Sequence, residues 1–318
     1  NLNLYGTRIE GYGLVNNLEG VGLSGNAVTI DHVTLKSGTQ TLKAGLIGTY
    51  ITSANGYAGC SGGYLVTIRN CVAEEGVVIG YDGTQSHIGS FAGRFNGTIE
   101  NCVSYATVKG ADSVGGIVGN QDNSMTTFKV TGCKFHGTVV ASGEEAGGII
   151  GSGYIGSWGD NAMRPNITDC TVTGTITGEN KVGGIQGGDS TVIQTYARTP
   201  NTLANNVFRG KVSATNTEDP IVGSIVGYYR GLNAYDRIYG NTSYTKSLPP
   251  IGRVGYVDTS AAEHETVIGQ VYFDSSSGKF PTVSNYKWWQ RNLNRTDDLL
   301  GADAAVMCAM NTGRADPK

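Results

Sequence analysis

The chain has 318 residues, with 23 basic and 26 acidic side chains that give a formal net charge of −3. This balance excludes a polybasic face, so we expect neither nucleic acid nor an anionic membrane as a partner. No apolar run approaches the roughly 18 residues of a membrane span, so we expect no membrane insertion. The chain begins at Asn1 without Met or a signal peptide, which indicates a mature product or a piece of a larger secreted polypeptide.

Residues 1–26 precede a repeating pattern and fit it poorly. They alternate Leu, Tyr and Val with Gly and Asn. Because the end of a repeat array exposes unpaired strand edges, we expect residues 1–26 to form an N-terminal cap or an imperfect first coil.

A six-residue pattern, here called the glycine motif, recurs through the following residues. Its clearest copy is Val114–Gly119, with one apolar residue, two small residues, two apolar residues and Gly. Gly accounts for 49 residues of the chain, more than twice its usual share of about 7%, without a collagen period. The other copies are residues 43–48, 88–93, 146–151, 182–187 and 222–227.

A second pattern accompanies the glycine motif, since an apolar-x-Asn-Cys-Val-like segment lies between its successive copies. Successive copies are 31 to 37 residues apart when they are aligned on one column. A unit of fixed order and of that period predicts a solenoid over residues 27–257. The aligned column contains Cys71, Cys102, Cys133, Cys170, Asn206 and Asn241.

The four cysteines of this column are expected to be free and buried. Residues in one column of a solenoid point in parallel, which suits a ladder of small apolar side chains better than disulfide geometry. The states of Cys60 and Cys308 remain open.

Each coil contains three short segments suited to β-strands, for example residues 128–130, 133–136 and 138–140. Between the first two lies a residue type that tolerates a positive φ, which marks a corner. A second corner is marked in most coils by a glycine such as Gly137. We therefore predict an all-β fold, a right-handed parallel β-helix of about seven three-stranded coils. The first corner contains Asn70, Asn101, Gly132, Asp169, Asn205 and Gly240.

These patterns resemble the GLUG repeat of bacterial surface proteins. The resemblance is carried by Val114–Gly119, Gly97–Val103 and Ala106–Gly110, and it covers about residues 27–257. It implies a secreted or cell-wall-attached adhesive or stalk module, since similar repeats occur in adhesins and beside the catalytic domain of immunoglobulin A metalloproteases. The family motif has no catalytic residues to transfer.

Residues 258–318 leave the repeat and are expected to cap the C-terminal end of the solenoid. Val267–Phe273 is strand-like, and Thr296–Met307 has an N-terminal cap and early acidic residues that favour a short helix. Tyr286, Trp288 and Trp289 lie between them. The tryptophan pair either closes the core or serves a lectin-like role.

Insertions of variable length follow the glycine motif and are expected to emerge at one corner of the solenoid. Insertions at one corner stack along one side and commonly form a binding face. Aromatic rings mixed with short polar groups suit recognition of a host glycan or an extracellular protein. The alternative is that these loops only pack on one another. The insertions are residues 49–66, 120–127, 152–166, 188–202 and 228–237, and the candidate ligand-binding residues are Tyr154, Trp158, Tyr196, Arg198, Tyr228, Tyr229 and Arg230.

An enzyme is the alternative hypothesis, because β-helices include glycoside hydrolases and polysaccharide lyases. Asp160 and Asp189 in adjacent loops could act as acid and as nucleophile or base if their carboxyl groups were about 5 to 10 Å apart. No His-Glu-x-x-His motif is present, and the four histidines at 32, 87, 136 and 264 are scattered. We therefore expect no metal site and no cofactor.

Overall fold

The computed structural model describes residues 2–6, 8–19, 28–51, 66–121, 128–153, 165–189, 202–232, 237–245, 248–249, 251–257 and 271–272. The described residues form short β-strands and no helix. The predicted helix at 296–307, the aromatic segment at 286–289, Cys60, Cys308 and His264 lie outside them.

The strands follow the chain in successive turns. Two incomplete turns come first, and the second of them lacks only one strand. They contain β1 (Leu2–Leu4), β2 (Arg8–Ile9), β3 (Val15–Glu19), β4 (Val28–Asp31), β5 (Val33–Leu35), β6 (Gln40–Thr41) and β7 (Ile47–Ile51).

Five complete turns follow, and each contributes five strands. The first two contain β8 (Val66–Arg69), β9 (Val72–Ala73), β10 (Val78–Ile79), β11 (Ile88–Gly89), β12 (Ala92–Phe95), β13 (Gly97–Glu100), β14 (Val103–Ser104), β15 (Thr107–Gly110), β16 (Val114–Gly115) and β17 (Val118–Gln121). The third contains β18 (Phe128–Thr131), β19 (Lys134–Phe135), β20 (Thr138–Ala141), β21 (Glu144–Gly147) and β22 (Ile150–Gly153).

The last two complete turns contain β23 (Asn166–Thr168), β24 (Thr171–Val172), β25 (Thr175–Gly178), β26 (Asn180–Gly183), β27 (Gln186–Asp189), β28 (Thr202–Ala204), β29 (Val207–Phe208), β30 (Lys211–Ala214), β31 (Val222–Gly223) and β32 (Val226–Leu232). The strands after them are β33 (Arg237–Tyr239), β34 (Asn241–Ser243), β35 (Ile251–Val257) and β36 (Val271–Tyr272).

Equivalent strands of successive turns pair in parallel and form five sheets, numbered here in the order in which the chain passes through them. Sheet 1 is β4-β8-β13-β18-β23-β28-β33, and sheet 2 is β1-β5-β9-β14-β19-β24-β29-β34-β36. Sheet 3 is β2-β6-β10-β15-β20-β25-β30, sheet 4 is β11-β16-β21-β26-β31, and sheet 5 is β3-β7-β12-β17-β22-β27-β32-β35.

The predicted parallel β-solenoid is confirmed, but its coils differ from the prediction in number and composition. Five turns are complete, instead of about seven, and each has five strands instead of three. The extra strands arise in the glycine motif, where Val114–Gly115 and Val118–Gln121 lie in different sheets. The motif therefore bends and enters two sheets.

The core consists of apolar side chains that stack from turn to turn. One inward column of sheet 1 contains Ile68, Ile99, Val130 and Ile167, which are fully buried and in register. Burying each such side chain stabilises the fold by roughly 1.5–3 kcal/mol. Because the strands are parallel and in register, residues at equivalent repeat positions stack directly on one another and form a continuous part of the core.

The cysteine column is a ladder of free, buried thiols, as predicted. Cys71, Cys102, Cys133 and Cys170 form no disulfide and are fully buried. Burial raises the pKa of the Cys133 thiol, and a protonated thiol is a poor nucleophile. These side chains therefore have a structural role.

The predicted first corner is confirmed. All six of its predicted residues have a positive φ, between 53° and 65°. Asn, Asp and Gly tolerate this region best. His32 occupies the same corner one turn earlier, with φ 55°.

The glycine motif is glycine-rich because sheets 4 and 5 touch through their main chains. A Cβ on Gly151 would lie 2.3 Å from the carbonyl carbon of Ser113 in the preceding turn. A Cβ on Gly116 would lie 2.5 Å from the ring of Phe135. The first glycine lets two backbones meet, and the second makes room for a core aromatic ring.

Candidate functional site

The loop-bearing flank is the corner at which the chain leaves sheet 5 and enters sheet 1 of the next turn. The expectation that the insertions share one corner is confirmed for their described ends, because each insertion starts from a sheet 5 strand and ends at a sheet 1 strand. By contrast, a single residue, Asn96, joins β12 to β13. The described ends of the insertions therefore follow one another along one flank of the solenoid.

Several insertions begin later than predicted, because the sheet 5 strands run further. Strand β7 extends to Ile51, β17 to Gln121, β22 to Gly153, β27 to Asp189 and β32 to Leu232. Several strands continue past the glycine motif because their later positions pair with the neighbouring turn, as Asn120 does with Ser152 and Ser152 with Gly188.

The sequence-predicted site residues fall into two groups. Asp189 ends β27, and Tyr228, Tyr229 and Arg230 lie inside β32, so the prediction that these three belong to an irregular loop is wrong. The remaining ones lie outside the described residues, namely Tyr154, Trp158, Asp160, Tyr196 and Arg198.

Tyr229 and its neighbour Tyr228 point to opposite sides of β32. The Tyr229 ring is fully buried in the core and is not available to an external ligand, so the prediction that it is a binding residue is wrong. Strand alternation places Tyr228 on the outer side, where it is half-buried. Two adjacent tyrosines look alike in sequence, and only the strand register separates their roles.

The outer side of Tyr228 carries charged neighbours that are already paired. Lys181 Nζ lies 5.3 Å from the Tyr228 ring centroid and also forms a salt bridge with Glu144. Arg253 pairs in register with Tyr228 and bonds to Asp219 through Nη1 at 3.0 Å. Hydrogen bonding to Arg253 lowers the pKa of Asp219. This polar strip packs against Tyr228 on the outer side of sheet 5, whose strands lead into the flank.

Comparison of the chain with protein-family models, curated proteins and solved structures found no match. Within the described residues, no group of three or more His, Cys, Asp or Glu side chains could hold a metal ion, and no helix is long and apolar enough to cross a membrane.

A second row of positive-φ corners lies beside the flank, and sequence reasoning missed it. His87, Ser113, Glu145 and Lys181 have φ between 52° and 68°. Each immediately precedes a copy of the glycine motif, and this position is the signal that could have located them. These four residue types do not share a preference for positive φ, so residue type alone does not predict the corner.

The side chains of this second row form a polar edge beside sheet 5. Ser113 Oγ donates to Glu145 Oε2 at 2.8 Å, and Glu145 Oε1 lies 2.8 Å from where a Cβ of Gly188 would be. Burial, followed by the charges of Arg94 and Lys43, lowers the pKa of His87 to about 4. His87 is therefore neutral at physiological pH, and this edge offers hydrogen-bonding groups rather than a nucleophile with its base.

Proposed function

We propose that the chain is a non-catalytic adhesive or stalk module of a secreted or cell-surface protein. In this proposal it binds a glycan or an extracellular protein through the loop-bearing flank. The observation that carries the proposal is that the insertions share one corner, between sheet 5 and sheet 1. A rigid ladder that presents variable segments along one side suits recognition of an extended ligand.

The resemblance to GLUG repeats supports the same proposal and suggests that the module is part of a larger polypeptide. Buried thiols that form no disulfide show that the described turns are held by their stacked core instead of by cross-links. A stalk needs such stiffness along its length, and a column of in-register parallel strands supplies it.

The test is retention on arrays of glycans and of extracellular-matrix proteins. Trp158→Ala and Tyr228→Ala should weaken retention at least about tenfold, because aromatic anchors dominate such interfaces. Tyr81→Ala is the matched control, since Tyr81 lies between sheets 3 and 4, away from the flank. Unchanged retention of both flank variants would remove the flank as the binding surface.

A second assay tests the alternative that the chain is a carbohydrate-active enzyme. Polysaccharides are incubated with the wild type, Asp160→Asn and Asp189→Asn, and the release of reducing ends or unsaturated products is measured. If the chain is a non-catalytic binding module, none of the three proteins should release reducing ends or unsaturated products. Turnover by the wild type that either substitution abolishes, with the fold intact, would contradict the proposal and establish a carbohydrate-active enzyme.

A further inference from the structure

Sheets 2 and 3 together form a regular outer face, remote in the turn from the loop-bearing flank. In the second to fifth complete turns, outward side chains occupy every second position through the corner between these sheets, whereas the first complete turn has Glu74, Glu75 and Gly76 at this corner. In the third complete turn the outward residues are Lys134, His136, Thr138 and Val140. The corner does not interrupt the pairing of turns, because His136 N donates to Ser104 O and Thr173 N to Phe135 O.

This face, here called the threonine-cation face, is a grid of four outward positions in each of four turns. Rows are about 4.8 Å apart, and the four positions of a row cover about 20 Å of backbone, which crosses the corner between the two sheets. The rows are Val103, Tyr105, Thr107 and Lys109; Lys134, His136, Thr138 and Val140; Thr171, Thr173, Thr175 and Thr177; and Val207, Arg209, Lys211 and Ser213. Thr242 and Tyr244 begin a fifth row.

The charge of this face differs from that of the whole chain. The grid contains Lys109, Lys134, Arg209 and Lys211 and no Asp or Glu, although acidic residues outnumber basic ones in the sequence. The preceding turn places Glu74 in the Tyr105 column, but Lys36 Nζ holds that carboxylate at 2.5 Å. The grid therefore has a local positive charge that no acidic residue within it cancels. The net charge of −3 for the whole chain gives no indication of this positive face.

The aromatic side chains of the face are exposed and held in fixed orientations. Tyr105 is 46% exposed, and its ring stacks on His136 with centroids 4.9 Å apart. His136 Nδ1 lies 2.7 Å from Thr173 Oγ1. Arg209 lies 4.4 Å from the Tyr244 ring centroid and donates to its hydroxyl at 3.0 Å. These contacts fix the ring orientations before any ligand arrives, which reduces the entropy lost on binding.

We propose that the threonine-cation face binds an anionic polysaccharide, a linear sugar chain that carries carboxylate or sulfate groups. Flat rings cover the apolar C–H faces of sugars, hydroxyl groups meet sugar hydroxyls, and the four cations meet the acidic substituents. A surface that repeats every turn suits a ligand made of repeating units. Four dispersed cations are few for nucleic acid, whose binding relies on many phosphate contacts.

This inference goes beyond the loop-bearing flank and does not depend on it. The experiment measures binding of polygalacturonate, dextran sulfate and neutral dextran by isothermal titration calorimetry. We expect binding to one or both anionic polymers, weakening as salt is added, and none to neutral dextran. Polygalacturonate and dextran sulfate distinguish carboxylate from sulfate recognition.

The test variant replaces Lys109, Lys134, Arg209 and Lys211 by Gln and should weaken binding at least about tenfold. The control compares pairs of equal charge change: Lys109→Gln with Lys134→Gln on the face, and Arg69→Gln with Lys129→Gln on sheet 1. The sheet 1 pair should bind as the wild type does. If the fourfold variant fails to fold, the pair Lys109→Gln and Lys134→Gln, checked by circular dichroism, serves instead. Trp158→Ala should leave this binding unchanged, which separates it from the flank.

Three results would overturn the inference. The first is no binding of either anionic polymer. The second is equal weakening by the test variant and the control. The third is equally tight binding of inorganic polyphosphate of matched charge, which has no rings to stack. The last result would mean that charge alone is recognised. Loss of the Tyr105 ring in Tyr105→Ala should weaken polysaccharide binding more than polyphosphate binding, which checks the role of the rings.

Discussion

Ser90 Oγ lies 2.6 Å from Ser104 Oγ, and both hydroxyl groups are fully buried. In the next turn, the equivalent positions are Gly116 and Phe135, where the glycine makes room for the ring. The repeat therefore fills this part of the core in several ways. It uses a hydrogen-bonded pair of serines, a glycine and an aromatic ring, or, at Gly148 and Val172, a glycine and an aliphatic side chain.

This exchange predicts that two destabilising substitutions compensate each other. Ser104→Phe alone should destabilise the protein by about 1–3 kcal/mol, because the ring would meet the Ser90 side chain. Ser90→Gly alone should cost about 1 kcal/mol through loss of the buried hydrogen bond. The double variant should be more stable than Ser104→Phe. Urea denaturation of all four proteins measures the coupling, and additive effects would contradict it.

Asn206 continues the cysteine ladder with stronger hydrogen bonds. Its Oδ1 accepts from Cys170 N at 3.0 Å, and its Nδ2 donates to Ile167 O at 2.9 Å. Cys170 Sγ points in the same way to Val130 O, at 3.8 Å, one turn earlier. Asn and Cys therefore play equivalent roles in the column, and Asn makes the shorter contacts.

Substitution at Asn206 should reveal this equivalence. Asn206→Ala leaves buried backbone groups without partners and should cost about 2–3 kcal/mol. Asn206→Cys extends the thiol ladder and should cost less, because a thiol both donates and accepts weakly. Thr177→Ala on the surface is the control. Equal destabilisation by the Ala and Cys variants would show that only volume matters at this position.

The contact between sheets 4 and 5 predicts a large effect from a single methyl group. Gly151→Ala should destabilise the protein by several kcal/mol, because the Cβ would meet main-chain atoms of Ser113 and Val114 that cannot move separately. Gly83→Ala is the control for a glycine with positive φ and open space around it, and should cost about 1 kcal/mol. Thermal unfolding compares the two variants, and similar melting temperatures would contradict the contact.

The sequence allowed the parallel solenoid, its first corner and its thiol ladder to be predicted, because each depends on residue types that recur in one column. Cys71 and Cys102 share a column, and a column of small apolar residues in a repeat array is expected to lie in the core. The number of strands per turn could not be predicted in this way. Whether Val114–Gly119 bends depends on contacts with neighbouring turns, which the motif alone does not contain.

The candidate site was harder to predict for the same reason. Tyr228 and Tyr229 are adjacent, and only the strand register of β32 decides that Tyr229 faces the core. The threonine-cation face was missed because its members are spread over more than 100 residues and come together only by stacking. Single residues such as Lys109 and Arg209 carry no local signal of their common surface.

The depressed pKa of His87 predicts a pH-dependent contribution to stability. The folded pKa of about 4 lies below the ordinary value of 6.5, so the unfolded chain binds more protons between these values. The contribution is fully present above about pH 6.5 and is lost as the pH falls towards 4. Burial, the charges of Arg94 and Lys43, and the opposing charge of Asp112 set the shift, which we expect to be worth about 2 kcal/mol after solvent screening.

Asn is the matched replacement for His87, because it tolerates the φ of 60° and does not titrate in this range. Urea denaturation of the wild type and His87→Asn is measured at several pH values from 4 to 7.5. The difference in unfolding free energy between the two proteins should shift by about 2 kcal/mol in favour of the variant as the solution is acidified. Parallel pH profiles would mean that the His87 ring is solvated and that the burial assigned to it is wrong.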